Sequence, residues 1–455
     1  MKNNFSDLFA KARHDVTGQV NKTSIKQSTV FADSAKNNLR KGISESFDIA
    51  NTDEIGHTSM EGYATDSLPA LYSDVKNELR ALFQKYSPVN ENIGCHPNFT
   101  HLKNSRELVG GYSVTMFFDI SGSTKLGRMY SPDIVFNIKN TIIKYVIEII
   151  QAFDGHVHRI MGDAVMAFFR DEEKVNVRRE IDSAIDAINA SVYILEFMKQ
   201  VITPVLGDIG AERPVGVRVG IDYAKHDEIV WGNYGASGAF EITATSYFVD
   251  IAAKLQQTAK TNKVMIGHNL KELLGFGNEY LSILTKEKKD EYGRKIDKQY
   301  PYVRPNYVVR GAATNYRQYE LKNDEYFKLL PYGLSETRIS VELHVSKNNI
   351  TSINRCPCSI SLDKGASLDF RVRFTHPVTE NLTLESEKTN TGPDAASHGE
   401  TKPVLRSSNM EYFGGCYHGV IHESTKYHGL HHMKIKVVNN NHQVLDETVF
   451  SIYIM

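Results

Sequence analysis

The chain has no continuous apolar run near the roughly 18 to 20 residues that a membrane-spanning helix needs, and its opening MKNNFSDLFAKARHD lacks the apolar centre of a secretory leader. No membrane span and a cytoplasmic location are therefore the expectation. Only four of its 455 residues are cysteine, too few for a disulfide framework at this length and in keeping with a reducing compartment. Charge of one sign is also missing. Its 53 Lys and Arg stand against 54 Asp and Glu, so bulk charge points to neither nucleic acid nor an anionic membrane surface. The single tryptophan, Trp231, is expected in the core rather than stacked on a ligand.

What remains is an ordinary globular composition, 41% hydrophobic and 24% charged, over a length that suits two or three domains. Residues 1–60 are rich in Asn, Ser, Lys and Thr and read as a flexible arm. A helical lead-in follows over 61–106, where Leu71, Val75, Leu79 and Leu82 recur at helical spacing. From 107 to 322, strand-like and helix-like patterns alternate, as in an α+β or α/β domain built from βα units.

Within that stretch, VGGYSVTMFFDI is strand-like, and Ser131-Pro132-Asp133 opens a helix whose apolar face is Val135, Ile138, Ile142, Val146, Ile149 and Ile150. HVHRIMGDAVMAFF reads as two strands hinged at Gly162-Asp163. A second helix is expected over 176–203, a strand pair over GVRVGIDYAKHDEIVWGNYG, and a third helix over 246–258. Residues 277–306 read as a solvated, charged insertion, after which YVVRGAATNYRQYEL resumes strand character. Over 335–455 the composition changes to short alternating strands, ISVELHV, LDFRVRF, HMKIKVV and TVFSIYI, the pattern of a small all-β sandwich.

Two acids stand at special points. Asp119 ends an apolar strand and Asp163 sits in a Gly-Asp turn. If the two strands lie side by side, the carboxylates converge into a site for two Mg²⁺ or Mn²⁺ ions holding a polyphosphate, because hard cations take oxygen ligands and share them with substrate phosphates. The turn Ser121-Gly122-Ser123-Thr124 then offers N–H groups and hydroxyls as a phosphate cradle. Spacing alone leaves open that Asp119 caps a turn and Asp163 is a hairpin acid.

The ordered set FDISGST, RIMGDAVMAFF, GVRVGID and VDIAAKL resembles the class III nucleotide cyclases over about 107–322. The resemblance implies a ferredoxin-like βαββαβ core and a homodimer with active sites at the interface. It makes Asp119 and Asp163 the metal ligands, with the carbonyl of Ile120 beside them. The ribose 3′-hydroxyl of a nucleoside triphosphate would attack the α-phosphate and pyrophosphate would leave. Where the family has an Asn and an Arg that orient the ribose and stabilise the transition state, this chain has Asp250 and Lys254. Lys254 keeps the charge without the planar fork of Arg. Arg310 stands where the family often has a Lys that reaches the triphosphate.

The family reads the base three residues before the Gly-Asp turn, with Lys typical of adenylate and Glu of guanylate cyclases. Here that position is Arg159, with Thr243 as its partner. Arg only donates, which disfavours guanine and suits a carbonyl such as O2 of a pyrimidine. Thr243 both donates and accepts, so these two residues do not separate cytosine from uracil.

A cyclase with this base position and a C-terminal β domain resembles the pyrimidine cyclases of bacterial Pycsar anti-phage systems, some with an AGS-C-type sensor at the C-terminus. That implies a cyclic pyrimidine nucleotide acting on a separate effector protein. The lean to CTP over UTP comes from the tail. An adenylate cyclase and a catalytically inactive nucleotide sensor are the alternatives. Cys356, Cys358, Cys416, His418, His422, His428, His431 and His432 lack the regular spacing of a zinc site and are expected to be ordinary strand and loop residues.

Overall fold

The computed structural model describes residues 74–455 apart from 131, 172–176, 209–214, 237, 290, 292, 333–336 and 378–379, together with 9, 12–14 and 17. Apart from those five N-terminal positions, the expected arm lies outside the described residues, as do Leu71 and the Ser131 cap.

In the lead-in, α1 (Asp74–Leu82) buries Val75 and Leu79. The region after it contributes strands β1 (Val109–Gly110), β2 (Ser113–Ser121), β3 (His156–Met161), β4 (Ala164–Phe169), β5 (Gly216–Ala224), β6 (Val230–Ala236) and β7 (Ala239–Thr245). Further strands are β8 (Lys263–Gly267), β9 (Leu281–Ser282), β10 (Thr285–Lys289), β11 (Lys295–Gln299), β12 (Val308–Val309), β13 (Ala312–Ala313) and β14 (Gln318–Leu321). Its helices are α2 (Ser123–Met129), α3 (Pro132–Ala152), α4 (Val177–Phe197), α5 (Thr203–Asp208), α6 (Tyr247–Thr258) and α7 (His268–Leu274).

The central sheet runs β3-β4-β2-β5-β8-β14-β9. Its β2-α3-β3-β4-α4-β5 part has the strand order of a ferredoxin-like βαββαβ unit, with β2 antiparallel to both β4 and β5. α3 forms because Ile138, Ile142, Val146, Ile149 and Ile150 recur on one face, and all five are buried. They share one apolar cluster with Val114, Met116, Phe118 and Ile120, the inward set of β2. The expected second helix passes through a π turn at Met198–Ile202 before α5.

One expectation is corrected. β5 and β6 do not pair with each other: β5 belongs to the central sheet, whereas β6 lies between β1 and β7 in a separate three-stranded sheet. The polar loop between them looks like a hairpin turn, but β5 already has β2 and β8 as partners. Trp231 on β6 is fully buried, stacked on Phe99 with ring centroids 4.1 Å apart. The charged insertion contains the hairpin β10-β11, whose β11 is exposed throughout.

The tail forms two five-stranded sheets. One runs Ile350–Asn354, Ile339–Lys347, Ser367–Phe374, Cys416–Ser424, Glu411–Phe413. The other runs Ser361–Leu362, Val444–Ile454, Gly429–Asn439, Leu382–Thr389, Val404–Asn409. Alternation sets the inner faces: Leu368, Phe370, Val372 and Phe374 are buried while Arg371 and Arg373 between them are exposed.

The sandwich is bonded to α4. Asp182 Oδ1 accepts from the N–H and hydroxyl of Ser361 at 2.7 and 2.8 Å, and Asn189 Nδ2 donates to Cys358 O at 2.8 Å. Tyr326 OH donates to Asn189 Oδ1 at 2.8 Å and lies 2.9 Å from Tyr453 OH. Cys356 and Cys358 are buried in the same apolar cluster as Tyr193 and Tyr326, and burial pushes the Cys358 thiol up to about 12.

Candidate active site

Strand alternation sends Val114, Met116, Phe118 and Ile120 towards α3, so Thr115, Phe117 and Asp119 take the other face of β2. Asp119 lies opposite Arg218 of β5 and Ala164 of β4. Arg218 Nε donates to Asp119 Oδ2 at 3.2 Å, and its Nη2 contacts the same oxygen.

Asp163 immediately precedes Ala164, and the Ile120 N–H donates to its carbonyl at 3.2 Å. The two acids therefore share one corner of the sheet. Gly162 holds the turn open with φ +66°, a conformation costly for residues with a Cβ. Lys139 of α3 reaches to 3.7 Å from Asp163 Oδ2. The Asp119 and Asp163 side chains retain 17% and 25% exposure, enough for a solvent-borne ion to reach both.

Immediately after Asp119 and Ile120, the chain turns at Gly122, which precedes α2 with φ +85° and no side-chain cap. Ser121 Oγ lies 3.0 Å from Thr261 Oγ1, Ser123 is buried and Thr124 is exposed.

A β-bulge aims Arg159. The β3/β4 register runs Val157 to Ala167 and then Arg159 to Met166, so His158 and Arg159 share the space opposite one residue. Met166 faces Phe117 across β4 and β2, which puts Arg159 on the same side of the sheet as Asp119. Arg159 Nη2 contacts Glu241 Oε1 on β7. Thr243, half-buried, is two residues further along the same side of that strand.

Behind Arg159, His156 Nε2 and His158 Nδ1 each lie 2.9 Å from the single carbonyl of Gly94. Burial lowers the pKa of both rings and pushes neighbouring His96 down to about 2, so all three are neutral at physiological pH.

α6 crosses the face that carries Asp119. It is capped by Ser246, whose Oγ accepts from Phe248 N at 3.2 Å, and it lies directly on Gly220 of β5. Asp250 is exposed on α6, and one turn later the Lys254 ammonium sits 5.1 Å above the Tyr307 ring. Arg310 occupies the exposed turn between β12 and β13, just beyond Tyr307, with φ +49°.

Within one chain the residues thus fall into three groups: Asp119, Asp163 and the 121–124 turn; Arg159 and Thr243; Lys254, Asp250 and the Arg310 hairpin. Among the described residues, no hydrogen bond or ion pair joins the first group to the last. Arg218, Lys139 and Glu241 were missed from sequence, although Arg218 and Glu241 each interrupt an apolar strand pattern at a position that shares a face with a candidate.

Residues 111–300 match the adenylate and guanylate cyclase catalytic domain family, and 316–455 match the adenylyl/guanylyl and SMODS C-terminal sensor domain. A cytidylate cyclase of Escherichia coli is 37% identical over 433 residues, covering 89% of this chain and 90% of that protein. A second from Escherichia coli is 31% identical, covering 87% of this chain and 90% of its own length. One from Staphylococcus aureus is 30% identical over 84% of this chain and 88% of its own length. The chain belongs to the class III nucleotide cyclases that carry an AGS-C sensor domain. It is a nucleotide cyclase, of a class whose catalytic domains use divalent metal ions. Among the described residues, no helix is long and apolar enough to cross a membrane.

Proposed function

We propose that the chain is a cytidylate cyclase, closing CTP to 3′,5′-cyclic CMP with release of pyrophosphate, and that the product is a second messenger for a separate effector in defence against phage. The observation that carries the chemistry is the register that sets Asp119 beside Ala164, and so beside Asp163, at one solvent-open corner. The lean to CTP rests on relatives named cytidylate cyclase that align through both the catalytic domain and the tail.

The corner suits two Mg²⁺ or Mn²⁺ ions: two partly exposed carboxylates and the Ile120 carbonyl form an all-oxygen donor set. Bound cations would neutralise the triphosphate and acidify the ribose 3′-hydroxyl. Asp119 and Asp163 hold that charge in register with the substrate. Arg218, which binds Asp119 in this structure, would yield that carboxylate to a cation and then offer its own charge to the phosphates. The N–H groups and hydroxyls from Ser121 to Thr124, with Arg310, bind the phosphate oxygens.

Asp250 accepts a hydrogen bond from the ribose, and Lys254 meets the charge that grows on the α-phosphate. The 3′-oxygen to phosphorus bond forms as the hydroxyl proton passes to water and the bond to the β-phosphate oxygen breaks, releasing pyrophosphate. No hydrogen bond or ion pair joins the Asp119 corner to Asp250 or Lys254 among the described residues, and a homodimer that sets one protomer's corner against its partner's α6 completes each site. Arg159 and Thr243 read the base.

Asp119→Ala tests the reading. Product formation should fall by at least about a thousandfold with the melting temperature retained, as expected for loss of metal-assisted catalysis. Turnover that survives this change would remove the metal corner from the mechanism.

A further inference from the structure

Arg159 and Thr243 leave cytosine and uracil unresolved, because both bases carry an O2 acceptor and a threonine hydroxyl suits either amino group or carbonyl. The structure supplies a third side chain. Glu241 lies on the same face of β7 as Thr243, and its Oε1 contacts Arg159 Nη2. Both partners are open to solvent, with 41% of the Arg159 side chain and 37% of Glu241 exposed, so the pair forms a surface rather than a buried tie.

The second carboxylate oxygen is uncommitted to His158. Glu241 Oε2 is 4.0 Å from His158 Nε2, beyond hydrogen-bond distance. His158 Nδ1 must donate to the Gly94 carbonyl 2.9 Å away, so in the neutral ring Nε2 carries a lone pair and offers no proton. Glu241 thus keeps one oxygen as a free acceptor, while the guanidinium it grips keeps its remaining N–H groups as donors.

We infer that Glu241 is the residue that selects cytosine, by lining up with Arg159 as an acceptor followed by two donors. This rests on the cytidylate cyclase reading above. The Watson–Crick edge of cytosine runs donor, acceptor, acceptor from N4 through N3 to O2, and it matches that row at every place. Uracil runs acceptor, donor, acceptor, so its O4 faces the carboxylate and its N3–H faces an arginine N–H. Guanine is mismatched at all three. Adenine matches at N6 and N1 but leaves the last donor facing a C–H. The expected order is CTP, then ATP, then UTP and GTP.

The test uses the full chain with an equimolar mixture of the four ribonucleoside triphosphates and Mn²⁺, with products identified by mass. Wild-type protein should make cyclic CMP in excess. Glu241→Gln replaces the obligate acceptor with an amide that also donates, and the cyclic CMP to cyclic UMP ratio should fall by about tenfold or more while total turnover persists. Glu241→Asp, which withdraws the carboxylate by one methylene, should shift the ratio in the same direction.

A wild-type ratio retained in both variants, with unchanged melting temperatures, overturns the role of Glu241 and leaves the cytidylate reading standing. Wild-type protein that favours another nucleotide overturns that reading and this one with it. Loss of all four products in folded Glu241→Gln also overturns selection, since Glu241 would then serve turnover itself.

Discussion

Asp222 is the acid whose removal from water has the clearest measurable consequence. It follows Ile221 in β5, is 1% exposed, and lies opposite Thr115, four residue pairs along the ladder from the Asp119–Arg218 pair. Burial raises its pKa from the ordinary 3.8 to about 7, against the opposing pull of hydrogen bonds from Tyr316 OH at 2.6 Å, Tyr223 N at 2.9 Å and Leu270 N at 3.4 Å. The folded chain therefore holds this proton over a range in which the unfolded chain has released it. Stability from this group is fully present below pH 3.8 and is lost as pH rises towards 7, after which it is level.

Between pH 5.5 and 8 the part lost spans 5.5 to about 7, and at 1.36 kcal/mol for each pH step it amounts to about 2 kcal/mol. Asp222→Asn keeps an amide oxygen for Tyr223 and Leu270 and turns an NH₂ towards the Tyr316 oxygen, imitating the protonated acid. Melting temperatures of both proteins at pH 5.5 and 8 measure the difference, and other buried acids cancel in the comparison. Wild type should lose about 4 °C more than the variant across that interval. Equal pH slopes in the two proteins would mean that Asp222 holds no proton in the folded chain over this interval.

Gly220→Ala would put a Cβ 2.2 Å from Gln256 N and 2.3 Å from Ala252 O, both helix backbone, so α6 must lift off β5. The change should cost about 1 to 3 kcal/mol and lower turnover more than tenfold in protein that still folds, since Asp250 and Lys254 ride on α6; unchanged kcat would separate that helix from catalysis. Asp182→Ala strips both bonds from buried Ser361, which should lower the urea midpoint by an amount equal to about 2 to 3 kcal/mol; an unchanged midpoint would mean that these two bonds add nothing net to the junction of α4 and the sandwich. Trp231→Ala should cost about 3 to 5 kcal/mol, read by the same denaturation, because its indole fills the space between Phe99 and Phe168 and donates to Gly111 O at 3.1 Å.

Local signals carried far in this chain. The turn at Gly162-Asp163, the apolar face of α3, the span of α6 and the alternating tail strands are all decided by neighbouring residues, and each lies where its spacing predicts. Long-range pairing was not legible. The loop between β5 and β6 has hairpin composition, yet the strands part into different sheets because β5 is flanked by β2 and β8, each more than forty residues away in sequence, while β6 pairs with its immediate successor β7.

The site divides in the same way. Asp119 and Asp163 stood out because an acid at the end of an apolar strand and an acid after glycine are locally anomalous. Arg218 and Glu241 each interrupt an apolar strand pattern, but that interruption names no partner, and only register brings them to Asp119 and Arg159. The bulge at His158, which turns Arg159 to the Asp119 face, has no sequence signature at all. Cys356-Pro357-Cys358, a motif that suggests ligands, packs against α4 and the buried tyrosines instead.

The most direct measurement is the identity of the product. Purified full-length protein, given CTP, UTP, ATP and GTP with Mg²⁺ or Mn²⁺, should release pyrophosphate and a species with the mass and fragmentation of 3′,5′-cyclic CMP. Conversion of ATP alone, or binding of triphosphate without pyrophosphate release, would contradict the account.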